Sequence, residues 1–134
     1  MRRICVIGGA VLGFMLGGIA GCAEAQDPTK PKKLNPYTGN PEAIQEGRRI
    51  YFLYSCNACH GGTGGGGMAG ASPIFDDDWR YGSDDETLFK LIRGQIPGQT
   101  MPAAGKNMTD DETWKVIAWI RSVNPGSEKK PPLQ

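Results

Sequence analysis

The sequence predicts an all-α domain of three or more helices. Three segments carry apolar residues at helical spacing, and each begins with residues typical of a helix start: Asn40-Pro41-Glu42, Ser83-Asp84-Asp85-Glu86 and Thr109-Asp110-Asp111-Glu112. A run containing two cysteines and the chain's one histidine lies between the first two segments. With 134 residues, the chain allows one domain.

Residues 1–21 have the composition of a bacterial export signal. Two arginines precede an apolar run that is too short and too rich in glycine for a membrane span. The run ends in Ile19-Ala20-Gly21-Cys22, which resembles the lipobox, whose cysteine is lipidated and becomes the first mature residue. Ala23-Glu24-Ala25 offers an ordinary cleavage before Gln26 as the alternative. We expect the lipoprotein type, a periplasmic protein anchored to the membrane through Cys22.

Residues 22–39 are predicted to be a disordered tether. They contain three prolines and a basic cluster, with few side chains that could pack together. The predicted domain covers residues 40–124, and a disordered tail follows at residues 125–134. Residues 40–125 carry 8 basic and 11 acidic side chains, which argues against a nucleic-acid partner.

The first helix begins with Asn40 as its cap and Pro41 at its first position. Its apolar positions continue at helical spacing as far as Tyr54. Gly47 lies in the middle of the helix, where glycine costs about 1 kcal/mol relative to alanine. We therefore expect another helix to pack closely against Gly47.

The run Cys56-Asn57-Ala58-Cys59-His60 is the attachment signature of c-type haem. Two thiols at this spacing lie about one helical turn apart and reach the vinyl groups on one edge of a porphyrin. A thioredoxin-type motif would lie beside a βαβ pattern, and a structural zinc site needs four ligands, which the chain does not offer. We predict one haem c attached through Cys56 and Cys59, with His60 as an iron ligand.

The segment after the motif is predicted to be a pliable loop along the haem edge. Residues 61–72 hold seven glycines, and no Walker lysine or Rossmann pattern follows them. The aspartates at 76–78 lack EF-hand spacing and indicate a solvated turn. Either Trp79 or Arg80 is expected to reach a haem propionate.

Two more helices complete the domain. The second opens with a capping box at Ser83 and ends at Gly94. The third opens with a capping box at Thr109 and continues through about Val123. Its apolar residues make two faces, one for the core and one for the first helix: Trp114, Val116, Ile117, Trp119, Ile120 and Val123.

Across residues 40–124 these elements resemble the class I c-type cytochromes, the small bacterial monohaem cytochrome c family. The matching residues are Gly47, Tyr51, the Cys56–His60 run, Pro73, Met101-Pro102 and Trp119. The resemblance implies the cytochrome c fold, in which the helices wrap around one covalently attached haem and the first and last cross at nearly a right angle. The chain departs from the best-known members by one extra residue between Tyr51 and Cys56.

The resemblance also implies the remaining site residues. A methionine completes the iron coordination, and we expect this to be Met101, which lies 41 residues after His60 in an irregular loop. Met68, within the glycine-rich loop, is the alternative. Met108 directly precedes the cap of the last helix, where an apolar residue usually packs on its own helix. The backbone carbonyl of Pro73 is expected to accept a hydrogen bond from the Nδ1 of the iron-bound histidine.

Electron transfer is the predicted function, and no enzymatic activity is expected. An iron held by a histidine and a methionine has no open position for a substrate. We expect the partners to be periplasmic redox proteins. The glycine run with Trp79-Arg80-Tyr81-Gly82 resembles small bacterial cytochromes that accept electrons from quinoprotein alcohol dehydrogenases.

The sequence leaves two alternatives open. One is a haem enzyme or gas-binding protein whose iron has an open distal position, although the chain has no second histidine. The other is a free-standing copy of a haem module that normally belongs to a larger oxidase.

Overall fold

The computed structural model describes residues 33–66, 74 and 79–125. Within this part of the chain all regular structure is helical. The four helices are α1 (Pro41–Leu53), α2 (Asn57–His60), α3 (Asp85–Ile92) and α4 (Asp110–Val123). The predicted all-α class is confirmed for the described residues. None of these four helices is long and apolar enough to cross a membrane.

Some predicted features lie outside the described residues. They are the signal at 1–21, Cys22, Met68, the Pro73 carbonyl, the aspartates at 76–78 and most of the tail at 125–134. These features stay predictions.

The two long helices begin at the predicted caps. The Asn40 side chain accepts a hydrogen bond from the backbone N–H of Ala43, and Pro41 occupies the first position of α1. Thr109 and Glu112 form the predicted capping box of α4, in which each side chain accepts a hydrogen bond from the other residue's backbone N–H. Local side-chain chemistry therefore fixes where both helices start.

The start of α3 differs from the prediction by one residue. Asp84, not Ser83, caps the helix, and its carboxylate accepts a hydrogen bond from the backbone N–H of Thr87 at 3.0 Å. Ser83 is fully buried, and its carbonyl accepts a hydrogen bond from Arg121 of α4. Arg121 also forms a buried ion pair with Asp85 at 2.6 Å. A local motif does not reveal this contact between helices.

The segment before α1 packs on the domain. Asn35 is buried, and its backbone N–H donates to the Asp85 carboxylate at 2.8 Å. Its side-chain amide donates to the carbonyl of Trp114 at 2.8 Å. The ammonium group of Lys33 lies 5.1 Å from the centroid of the Trp114 ring, within range of a cation–π interaction. The folded part therefore begins ahead of the predicted boundary at residue 40.

α1 and α4 cross in close contact. A Cβ atom placed on Gly47 would lie 1.9 Å from the carbonyl oxygen of Lys115, so a larger residue would push the two backbones apart. One turn further along both helices, the rings of Tyr51 and Trp119 pack with their centroids 4.3 Å apart. The close contact predicted at Gly47 is confirmed. This crossing anchors the end of α1, from which the cysteine motif follows.

Candidate functional site

The end of α1 positions the first cysteine of the motif. The backbone N–H of Cys56 donates to the Tyr51 carbonyl, and that of Ser55 donates to the Phe52 carbonyl, both at 3.0 Å. These two bonds form a Schellman motif. Ser55 is the left-handed residue of this motif, with φ 58°. Among the described residues it is the one non-glycine residue with positive φ. The extra residue between Tyr51 and Cys56 therefore lies within a regular helix end.

The two cysteines are unpaired thiols in half-buried positions. Cys56 precedes α2, and Cys59 lies within its single turn. Burial raises the pKa of the Cys56 thiol to about 11, because the surroundings disfavour the charged thiolate. A thioether carries no charge and suits such surroundings.

Tyr51 connects the helix crossing to the residues around His60. Its hydroxyl donates to the carbonyl of Gly61 at 2.7 Å, although the ring is buried against α4. The carbonyl of His60 accepts a hydrogen bond from the backbone N–H of Gly66 at 2.8 Å. Burial raises the pKa of Tyr51 above its ordinary value, so the phenol stays protonated and remains a donor. The backbone on both sides of the motif is thus fixed to α1.

Met101 and Cys56 contact the same hydrophobic cluster, although 45 residues separate them in sequence. The buried members of this cluster are Ile50, Tyr51, Ile74, Trp79, Leu88, Ile92, Met108, Trp114, Val116, Ile117, Trp119 and Ile120. Met101 is half-buried at the edge of the cluster, whereas Met108 is buried within it. The structure therefore brings the predicted distal methionine and the first predicted thioether cysteine to one core.

The indole N–H of Trp79 has no hydrogen-bond acceptor in the described part of the chain. Its Nε1 atom is buried. Buried N–H groups are nearly always paired in native structures, so this donor is available to an acceptor beyond the described residues. A haem propionate is a carboxylate and can accept this hydrogen bond. Two half-buried thiols, one histidine, one methionine and this donor fit a c-type haem.

Among the described residues, no three His, Cys, Asp or Glu side chains are close enough to hold a metal ion together. A structural zinc site would need four such ligands.

The sequence did not predict a role for two residues near Met101 in sequence or in the structure, Gln99 and Tyr81. Gln99 forms hydrogen bonds from its side chain to the backbone on both sides of the loop, and Tyr81 binds the residue before Met101. The contacts of Gln99 depend on the path of an irregular loop, and Tyr81 reaches Thr100 across 19 residues. The only sequence signal is that both lie in segments next to predicted site residues.

Residues 42–120 match the family model described as cytochrome c oxidase, cbb3-type, subunit III. The cbb3-type cytochrome c oxidase subunit CcoP of Azospirillum brasilense is 36% identical over 90 residues, which cover 63% of this chain and 30% of that protein. The corresponding CcoP subunit of Azospirillum sp. is 34% identical over 90 residues, again with 30% of its length covered. The chain thus spans about a third of the CcoP proteins that it matches.

Cytochrome c-L proteins match over more of their length. Cytochrome c-L of Methylorubrum extorquens is 29% identical in an alignment of 165 residues, which covers 96% of this chain and 82% of that protein. The crystal structure of cytochrome CL from the marine methylotroph Methylophaga aminisulfidivorans is similar with a TM-score of 0.57 and 30% identity, covering 67% of this chain and 61% of that one. This structural likeness confirms the predicted cytochrome c fold.

Proposed function

Since this chain belongs to the c-type cytochromes of the cbb3-type oxidase subunit III family, we propose that it is an electron carrier that works in the periplasm with one haem c. We further propose that it accepts electrons from a quinoprotein alcohol dehydrogenase. The haem, when bound, supplies the one-electron couple of its iron. The chain holds it, closes the iron to other ligands and presents it to partners.

Each predicted site residue has a role in this proposal. Cys56 and Cys59 would attach the haem through thioether bonds, and His60 and Met101 would be the protein ligands of its iron. The Pro73 carbonyl would accept a hydrogen bond from the Nδ1–H of His60, which would fix the tautomer of the ring. These assignments rest on the motif and the resemblance. The contact of Cys56 and Met101 with one hydrophobic cluster is the observation that carries the proposal.

The proposed donor rests on two observations. The glycine run with Trp79-Arg80-Tyr81-Gly82 resembles cytochromes that accept electrons from quinoprotein alcohol dehydrogenases. The alignment with cytochrome c-L spans nearly the whole chain, whereas the matches with CcoP cover 30% of those proteins. Both observations favour a free-standing carrier.

The donor is tested by mixing the purified holo-cytochrome with a purified quinoprotein alcohol dehydrogenase from the same periplasmic extract. We expect the haem spectrum to change to the reduced form only when alcohol and dehydrogenase are both present. A cytochrome that stays oxidised under these conditions contradicts the proposed donor.

A second candidate is a haem module that delivers electrons to a terminal oxidase, because residues 42–120 match the cbb3-type subunit III family. Co-purification separates the two candidates. Recovery of the tagged chain in a stable complex with an oxidase supports the module, and recovery as a free protein supports the carrier.

The gas-binding alternative is tested by the spectrum of the reduced protein with and without carbon monoxide. An iron with two protein ligands should show no change. A shift on addition of carbon monoxide would indicate an open distal position.

The proposed anchor is a diacylated Cys22 at the start of the mature protein. Two acyl chains hold a protein stably on a membrane, whereas one chain gives marginal attachment. Mass spectrometry of the native N-terminus decides between this form and an unmodified start at Gln26.

A further inference from the structure

The side-chain amide of Gln99 connects three backbone groups around the Met101 loop. Its Nε2 donates to the Leu91 carbonyl at 2.9 Å and to the Met101 carbonyl at 2.7 Å. Its Oε1 accepts a hydrogen bond from the backbone N–H of Ile96 at 3.1 Å. Both polar atoms of the amide are therefore used, and the backbone of Met101 is joined to the last turn of α3.

A second contact reaches the loop from the segment before α3. The backbone N–H of Thr100 donates to the hydroxyl of Tyr81 at 2.7 Å, and the Thr100 hydroxyl lies 3.1 Å from the same oxygen. Tyr81 follows Trp79, the proposed propionate donor, by two residues. The residue directly before Met101 is thus bound to the part of the chain expected to contact the propionate.

The first residues of the loop that carries Met101 are mostly exposed to solvent. Gln95, Pro97 and Gly98 are exposed, and a Cβ atom on Gly98 would meet no heavy atom within 4 Å. The side chains of Gln99 and Tyr81 thus contact the carbonyl of the predicted ligand and the residue directly before it. Irregular loops are usually more mobile than the helices they connect, so an iron ligand on such a loop needs support.

We propose that Gln99 is a positioning residue for Met101. Its amide holds the loop against α3, so that the thioether sulfur stays at the iron and external ligands stay out. Tyr81 provides a second, independent attachment through Thr100. This inference rests on the proposed assignment of Met101 as the distal ligand.

The test compares holo-proteins carrying Gln99→Ala or Gln95→Ala. Gln95 is a matched control, since it is a glutamine of the same loop with an exposed side chain. Loss of these hydrogen bonds should raise the apparent affinity of the reduced iron for carbon monoxide about ten- to hundredfold. We expect the reduction potential to fall with it and the ferric iron–methionine absorption to weaken. Gln95→Ala should resemble the wild type in all three measurements.

Gln99→Glu provides a second variant of nearly the same size. It keeps an oxygen that can accept from Ile96 and removes the N–H groups that donate to the carbonyls of Leu91 and Met101. We expect carbon monoxide affinity to rise here too. If both Gln99 variants lower only the melting temperature and match Gln95→Ala in potential and carbon monoxide affinity, Gln99 is merely structural and the inference is overturned.

A third variant separates this inference from the proposed function. If Met101→Ala opens the iron to carbon monoxide but the Gln99 variants do not, the positioning role alone fails. If Met101→Ala leaves the potential and the carbon monoxide response unchanged, the ligand assignment fails, and the positioning role fails with it.

Discussion

The backbone of Lys115 passes so close to Gly47 that a Cβ atom on the glycine would lie 1.9 Å from the Lys115 carbonyl oxygen. Gly47→Ala should therefore separate α1 from α4. Crowding of a packed interior costs about 1–3 kcal/mol, and the helix preference of alanine returns about 1 kcal/mol. Because the clash is with backbone atoms, the cost lies near the upper end of this range, and we expect the free energy of unfolding of the holo-protein to fall by about 2 kcal/mol.

Denaturant titration measures this change, with Gln45→Ala as the control on an exposed position of the same helix. The control should change stability by less than about 0.5 kcal/mol. Equal stability of Gly47→Ala and the wild type would contradict the close crossing.

Ser55→Gly should stabilise the protein. Ser55 is left-handed, with φ 58°, a conformation that costs about 1–2 kcal/mol for a residue with a Cβ atom. Glycine removes this cost but gains freedom in the unfolded chain, worth about 0.4–1 kcal/mol. A net gain of about 0.5–1 kcal/mol in the free energy of unfolding is expected from the same titration.

Ser122→Gly is the matched control, because Ser122 lies within α4. There the same substitution should destabilise the protein by up to about 1 kcal/mol. If both substitutions change the free energy of unfolding in the same direction, Ser55 does not carry the strain we assign to it.

Trp79→Phe tests the proposed propionate contact. The substitution removes an N–H that is buried and has no partner among the described residues, while it keeps most of the aromatic volume. A hydrogen bond from Trp79 would partly neutralise the propionate and favour the reduced iron. Its loss should lower the reduction potential by less than about 59 mV, the value of a tenfold change for one electron.

Potentiometric titration of the haem measures the shift, and Trp114→Phe is the control in the same hydrophobic cluster. The control should leave the potential close to that of the wild type. If both variants give the same potential, Trp79 has no special electrostatic role.

Docking should depend only modestly on salt. The acidic helix starts are already paired with neighbouring groups, as in Lys115–Asp111 at 2.7 Å and Lys90–Glu86 at 2.7 Å. Lys115 and Tyr37 lower the pKa of Asp111 through hydrogen bonds, which keeps its charge locally matched. Phe52 and Leu53, by contrast, are exposed beside the cysteine motif.

We therefore expect an apolar contact around the haem edge, as in small transient interfaces. Stopped-flow reduction by the dehydrogenase should slow by less than about tenfold between 50 and 200 mM salt, because strong electrostatic steering can accelerate association by 10–10³. A steeper decline would indicate that charge guides the encounter.

The sequence was sufficient for features set by local chemistry. Asn40 and Thr109 cap their helices because a cap needs only a side chain and the next turn of backbone. The glycine at position 47 signals a close contact because no local need explains it. The cap of α3 is Asp84, and the residues on either side of it, Ser83 and Asp85, contact Arg121 on another helix.

Contacts between distant segments were beyond such reasoning. The burial of Asn35 depends on Asp85 and Trp114, so composition alone favours a tether. The contacts of Gln99 and Tyr81 likewise depend on how an irregular loop returns to α3. These are the contacts that surround Met101, whose role the resemblance alone suggests.

The ligand role of Met101 is tested most directly by carbon monoxide titration of reduced holo-Met101→Ala. Met108→Ala is the control, since Met108 is buried in the same core and its loss should cost about 2–5 kcal/mol of stability without opening the iron. We expect Met101→Ala to bind carbon monoxide while haem attachment through Cys56 and Cys59 persists, and we expect the iron of Met108→Ala to stay closed. If Met101→Ala does not bind carbon monoxide, Met101 is not the distal ligand, and Met68 is the next candidate to test.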